Sequence, residues 1–354
     1  MQAKTELIQR TIKGKFIIRP YQPGDDPQIF VSWEKAFNKK LDAEIWHWKY
    51  HANPMGFRTM LCLSENGEVA VHYGAQVYKI NHNGQEKLAL HLTDNFSHPE
   101  YRWALGGKTG LFVKTSWVFA KTYLKKSIED TFKLETSLPA AYFNYGFPGI
   151  RHYRLGNKLM FYRSFKEAST FYCTYKSHMR SPLKNSLKTG IATKVINVAT
   201  PKELNTLWDE IAKKLNPFGV IRDYNFLKWR YFNKPKNNYK FYCLKKRPTN
   251  KIKAWLISST TKNQREKIQL VDFLAKDNTA LKQLLQEFLA VNKADIIECW
   301  FSNNHPHKKA FLECGFIPEK EPLGIMPCTI CDEANVTSNS SDNFIWTIGD
   351  ADLF

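Results

Sequence analysis

Cysteine is scarce in this chain, acid is outnumbered by base, and no stretch stays apolar for long. The seven cysteines fall among 354 residues, an odd count with no framework spacing. That excludes a small disulfide-stapled scaffold and suits reduced thiols in a cytosol. No run reaches the roughly 18–20 apolar residues of a membrane-spanning helix, so no membrane span is expected. The opening segment, MQAKTELIQRTIKGK, is polar and lacks the apolar centre of a secretory leader, and a cytoplasmic location is expected. Paired zinc ligands are missing too. Cys328 and Cys331 make one CxxC, but Cys299, His305, His307 and Cys314 supply no second pair with ligand spacing, so no metal is expected.

Acids number 33 against 52 Lys and Arg, a net charge of +19. Asp332, Glu333, Asp342, Asp350 and Asp352 crowd into the last 24 residues, which hold no Lys or Arg. The remaining body is therefore more basic still. It would attract nucleic acid, an anionic membrane face or a phosphorylated cofactor. Its bases are spread along the chain as on ordinary solvated faces, so no specific nucleic-acid partner is expected. Apolar residues make up 43% and aromatics 14%, enough to build real cores in two domains.

The chain repeats one plan. WKYHANP (Trp48 to Pro54) has a counterpart in WRYFNKP (Trp229 to Pro235), 181 residues on. Before the first lies a strand-like FIIRPY and a helix that Asp26 can cap, with Pro27 as its first residue. Before the second lies KVINVA and a helix with a Thr200/Glu203 capping box and Pro201 at its first position. Strands follow both anchors, and ENG (Glu65–Gly67) reads as a hairpin turn. Each half thus runs strand, helix, helix, several strands, then helix–strand–helix–strand. That order fits a mixed α/β sheet with helices on both faces. The predicted division is a domain over 14–170, a second over 191–330 joined near Ser186–Gly190, and an acidic C-terminal tail over 331–354.

Leu88 to Phe112 carries the chemistry. A strand with alternating Leu88, Leu90 and Leu92 passes a turn at His98-Pro99 and enters a loop containing Gly106, Gly107 and Gly110. A helix follows, with Val113, Trp117, Ala120 and Leu124 on one face. Strand, Gly-rich loop and helix make a phosphate-binding layout, since glycines let backbone N–H groups approach an anion that the helix N-terminus attracts. A nucleotide triphosphatase loop would need Gly where Arg102 stands.

HPEYR followed by GKTGLF resembles the pyrophosphate loop of the GNAT acyltransferase superfamily. Asp94, His98, Pro99, Tyr101, Arg102, Gly107, Gly110, Leu111 and Phe112 match the loop of its polysaccharide-associated subgroup, with about four extra residues after Arg102. YFNYGFPGIRHYRLGNKLMF (Tyr142 to Phe161) resembles a second block of that subgroup, with Gly149, His152 and Met160 as departures. The resemblance covers most of 14–170 and is weaker over 191–330. It implies two tandem GNAT-like domains, the second degenerate: after QLVDFLAKDN a helix begins at once, with no Gly-rich loop.

The same resemblance implies direct transfer of an acyl group from acetyl-CoA or another acyl-CoA to an amine. The cofactor would lie along Phe96, Ser97, Arg102, Gly106, Gly107, Lys108, Thr109 and Gly110, with Asn144 from a later strand. Backbone N–H groups of Asp94 to Ser97 would stabilise the oxyanion. A base is expected to take the amine proton. Asp94 is the first candidate, ahead of His91 and His98, and a loop-ordering role stands beside it. Tyr153, or Tyr145 in its place, would protonate the leaving thiolate. The acceptor is expected between the halves as a small-molecule amine, with an amino sugar suggested by association alone. Two competing readings are a Fem-type transferase using aminoacyl-tRNA and a non-catalytic binding module on the same scaffold.

Overall fold

The computed structural model describes residues 4–11, 14–102, 109–124, 132–160, 162–176, 194–195, 199–246, 251–262, 266–330 and 343–352. The first half forms β1 (Leu7–Thr11), β2 (Gly14–Pro20), α1 (Asp26–Phe37), α2 (Ala43–Trp46), β3 (Phe57–Ser64), β4 (Val69–His82), β5 (Gln85–Ser97), α3 (Leu111–Tyr123), β6 (Phe143–Tyr145), α4 (Ile150–Leu159) and β7 (Tyr162–Ser164). The second forms β8 (Thr170–Lys176), β9 (Lys194–Val195), α5 (Pro201–Leu207), α6 (Lys213–Leu215), β10 (Phe218–Val220), α7 (Tyr224–Leu227), β11 (Lys240–Lys246), β12 (Lys251–Lys262) and β13 (Glu266–Ala275). It continues with α8 (Asn278–Val291), β14 (Ile296–Ser302), α9 (Lys308–Glu313), β15 (Ile317–Pro318) and β16 (Cys328–Ile330). The expected order of elements is present in both halves. A π-helical turn, His47–His51 or Lys228–Phe232, carries the repeated Trp and Tyr in each.

The two compact units are not the linear halves. One comprises 1–79, 87–165 and 325–341; the other comprises 80–86, 166–324 and 342–354. The difference from a 14–170/191–330 division comes from strand exchange. β8, at the end of the first half, is laid between β14 and β15 of the second unit. β16, at the end of the second half, pairs with β7 in the first unit, and its Cys328 bridges Gly146 just after β6. A strand is placed by the sheet edge that satisfies its backbone groups, and sequence order does not constrain which edge that is. The expected join at Ser186–Gly190 lies outside the described residues.

In the first unit β1 to β6 follow in order, with β5 and β6 parallel. Alternation along β3 sends Met60 and Cys62 to one face and Leu61 and Leu63 to the other. The first face packs on Val113, Phe119 and Tyr123 of α3. The second packs on Ile29, Trp46 and Tyr50, from α1, α2 and the π-turn. Asn83 and Gly84, both at positive φ, close the β4–β5 hairpin. Asp26 is not the cap of α1. Asp25 takes the N-cap position, held by Arg19 and the Gln22 amide. Asp26 instead accepts from Trp46 Nε1 at 3.1 Å.

The second unit has its own sheet, ordered β15-β8-β14-β13-β12-β11-β9. Leu281, Leu284, Leu285, Phe288 and Leu289 of α8 are buried against it, the face that the sequence pattern assigns. The Thr200/Glu203 capping box forms as expected. The acidic end of the chain does not behave as a solvated tail. Phe344, Ile345, Trp346, Ile348 and Asp350 are buried in this unit, and Trp346 Nε1 donates to the Ala168 carbonyl at 2.8 Å.

Candidate functional site

Parallel pairing of β5 with β6 is short. It runs from Ala89↔Phe143 to His91↔Tyr145 and stops. β5 continues to Ser97, while the chain after β6 turns its backbone to the exchanged strand: Gly146 N donates to Cys328 O at 2.9 Å, and Gly146 O accepts from Cys328 N at 3.0 Å. The two strands therefore part beyond His91. Here β5 is also kinked, because Asp94 sits in the left-handed region at φ 54°. Asp tolerates that conformation better than most residues, and kinks of this kind re-aim backbone groups beside sites.

α3 starts where the loop after β5 ends. Its N-cap is Gly110, which offers no side-chain acceptor, and its first turn holds no acid. The helix thus presents N–H groups that an anion can satisfy. The second half differs at the matching point. Asp277 caps α8 by accepting from Ala280 N at 2.7 Å. Against the penalty of partial burial, that amide and Lys276 hold the Asp277 carboxyl below its ordinary value. A fixed carboxylate already occupies the anion position there.

The expected site residues separate into groups. Gly106, Gly107 and Lys108 lie outside the described residues. Thr109 is exposed just ahead of α3. Arg102 turns back onto carbonyls, with Nε 3.2 Å from Ser97 O and Nη2 3.5 Å from Ala36 O. Phe96 points into the core, stacked on His72 and edge-on to Trp33. Asn144 is buried on β6, where its Oδ1 accepts from Thr329 Oγ1 at 3.4 Å. His98 caps the short turn Pro99–Tyr101 by accepting from Glu100 N, and burial lowers its pKa. That is a structural role. Tyr153 Oη accepts from Ser164 N at 3.3 Å.

Asp94 is engaged in a way that opposes work as a base. Its Oδ2 accepts from Lys49 Nζ at 2.8 Å and from Tyr50 Oη at 2.7 Å, with both members of the ion pair nearly buried. The second half repeats the contact: Tyr231 Oη donates to Asp272 Oδ2 at 2.8 Å. Tyr50 and Tyr231 are equivalent residues of the WKY and WRY repeats, so this Tyr–Asp link anchors the π-turn to the sheet in both halves. Asp94→Asn is expected to cost about 3 kcal/mol in urea unfolding, because Lys49 loses its buried partner. A normal unfolding midpoint with a hundredfold loss of turnover would restore Asp94 as the base.

No family model matches this sequence, and no curated protein does. Solved structures do match. A probable N-acyltransferase from Enterococcus faecalis aligns with TM-score 0.60 and 15% identity over 89% of this chain and 71% of that one. A GCN5-related N-acetyltransferase from Anabaena variabilis gives 0.59 and 14% over 89% and 72%. The fold is that of the GNAT-type N-acyltransferases. N-myristoyltransferase from Saccharomyces cerevisiae, with myristoyl-CoA bound, shares it over 93% of this chain and 84% of that one, at TM-score 0.52 and 10% identity.

His72, Lys49 and Gly74 also surround the kink and were not among the expected residues. The repeated WKY/WRY anchor was the available signal for Lys49 and Tyr50. Nothing in the spacing marked His72 or Gly74.

Proposed function

We propose that this protein is an acyl-CoA-dependent N-acyltransferase with one cofactor site, in the first unit. The observation that carries the reading is the parting of β5 from β6 next to a helix start capped only by Gly110. The strand gap suits an extended pantetheine arm, and the helix start suits its pyrophosphate. The amine nitrogen attacks the thioester carbon, a C–N bond forms, the C–S bond breaks and the thiolate takes up a proton. Tyr153, whose Oη accepts from Ser164 N through a lone pair and so leaves its O–H free to donate, is the residue proposed to give that proton to sulfur. With Asp94 tied to Lys49, the amine enters as its neutral form and releases its proton to water. The acceptor we propose is a small-molecule amine, and an amino sugar is the class to test first.

Calorimetry with acetyl-CoA and myristoyl-CoA tests the site. Binding is expected to saturate at one per chain. Arg102→Ala is expected to weaken it about ten- to a hundredfold, since one charge-assisted contact is worth about 1.5–3 kcal/mol. Lys276→Ala is expected to leave it unchanged. Two equal sites, or one lost with Lys276, would reverse the assignment of the halves. Binding of tRNA in place of acyl-CoA would favour the Fem-type reading, with a steep salt dependence as its mark.

A further inference from the structure

His72 lies on β4 with no exposed surface, packed between Phe96, Trp46 and Tyr50. Its Nδ1 is 2.8 Å from the carbonyl oxygen of Asp94. A carbonyl only accepts, so Nδ1 carries the proton and donates. Nε2 then holds a lone pair, and it is buried without a hydrogen-bond partner among the described residues. Burial lowers the pKa of this imidazole to about 4, so it stays neutral and keeps that tautomer. A nitrogen left unsatisfied in a core suggests that the hydrogen bond made by the other nitrogen matters.

That bond fixes the peptide at the positive-φ residue of β5. Asp94 is at φ 54°, and its carbonyl answers His72. The amide of Gly74, across on β4, is answered by a side chain, Asn95 Oδ1 at 2.7 Å. Gly74 also makes room for the ring: a Cβ there would lie 2.6 Å from His72 Cε1. In a trans peptide the C=O and the following N–H point opposite ways. Fixing the Asp94 carbonyl toward His72 therefore fixes the Asn95 N–H away from it. We infer that His72 is a positioning residue for acyl transfer, which holds the Asp94–Asn95 peptide so that the Asn95 N–H donates to the thioester oxygen. The inference rests on the acyl-CoA reading above.

The sequence offers a clean probe. Asp-Asn pairs occur at 94–95, 277–278 and 342–343. Cell-free protein labelled with 13C at the Asp carbonyl and 15N in Asn therefore reports those three peptide amides and little else. Addition of acetyl-CoA alone is expected to move the Asn95 amide proton downfield and to leave the other two in place. In His72→Leu the acetyl-CoA Kd is expected within twofold of wild type, while the Asn95 shift is lost. Turnover is expected to fall about a hundredfold at unchanged KM, the usual size for loss of one oxyanion donor. His72→Asn, whose side-chain amide can donate to the same carbonyl, is expected to recover most of both. An Asn95 signal unmoved in acetyl-CoA-saturated wild-type protein would overturn the inference even if His72→Leu does not fold. So would a His72→Leu protein with normal turnover. Failure of wild-type protein to bind acetyl-CoA would instead remove the acyl-CoA reading itself.

Discussion

Replacement of Arg222 by Met is expected to cost about 3–5 kcal/mol, the range for stripping a buried carboxylate pair of the cation between them. Arg222 Nε lies 2.9 Å from Asp272 Oδ1, and Nη2 lies 2.6 Å from Asp350 Oδ2. All three side chains are buried. Thr347 ties the cluster together, donating from Oγ1 to Asp272 at 2.8 Å and from its amide to Asp350 at 2.9 Å. Without the guanidinium, two carboxylates would face each other in the core. Asp350 already shows the imbalance. Burial raises its pKa, Arg222 opposes that, and Asp272 adds to it. Asp350→Asn is therefore expected to cost far less than Arg222→Met, since it removes one charge of the unequal trio and keeps the pair. Urea unfolding followed by tryptophan fluorescence measures both. An Arg222→Met protein within 1 kcal/mol of wild type would mean that water reaches the cluster.

Acid is expected to destabilise the fold well above the range where carboxylates titrate. Burial lowers the pKa of His72 to about 4 and that of His305 far below the ordinary value. His307 is lowered as well, again chiefly by burial. A depressed folded-state pKa gives stability that is complete above the unfolded value near 6.5 and lost as pH falls toward the folded one. The window is therefore pH 6.5 down to 4. By pH 5, His72 alone is expected to remove about 2 kcal/mol, and His305 adds to the loss in the same direction. The urea midpoint should fall steadily between pH 7 and 5. His72→Asn should flatten that fall in proportion. A midpoint constant across this range would show that these imidazoles find solvent or partners when charged.

Order and type of element were legible because they rest on local signals. Pro27, the Thr200–Glu203 box, the ENG turn and the apolar face of α8 each act within a few residues. The exchange of β8 and β16 was not, because no local pattern says which of two similar sheets a strand will join. The site was legible only in outline. The Gly-rich loop and the helix behind it read as an anion site, and of that loop the described residues include Gly110 at the start of α3. The role of Asp94 could not, because Lys49 and Tyr50 reach it from 45 and 44 positions earlier in the chain. The repeat did contain the answer in part: Tyr50 and Tyr231 stand at matched places, and so do the aspartates they bind. His72 stayed hidden since a lone imidazole on an apolar strand gives no spacing to recognise.

The exchange of strands also sets a timetable for synthesis. On the ribosome the sheet of the first unit can grow through β6 while the second half is still unmade, and β7 then follows without its partner. Its edge there then waits for Cys328–Ile330, which emerges after almost every other element. β8 is finished early but belongs beside β14, made more than a hundred residues later. Each half thus leaves the ribosome holding a strand meant for the other. The nascent chain carries these unpartnered strands through much of the second half's translation, and a ribosome stalled anywhere before residue 330 would release a first unit with a missing strand.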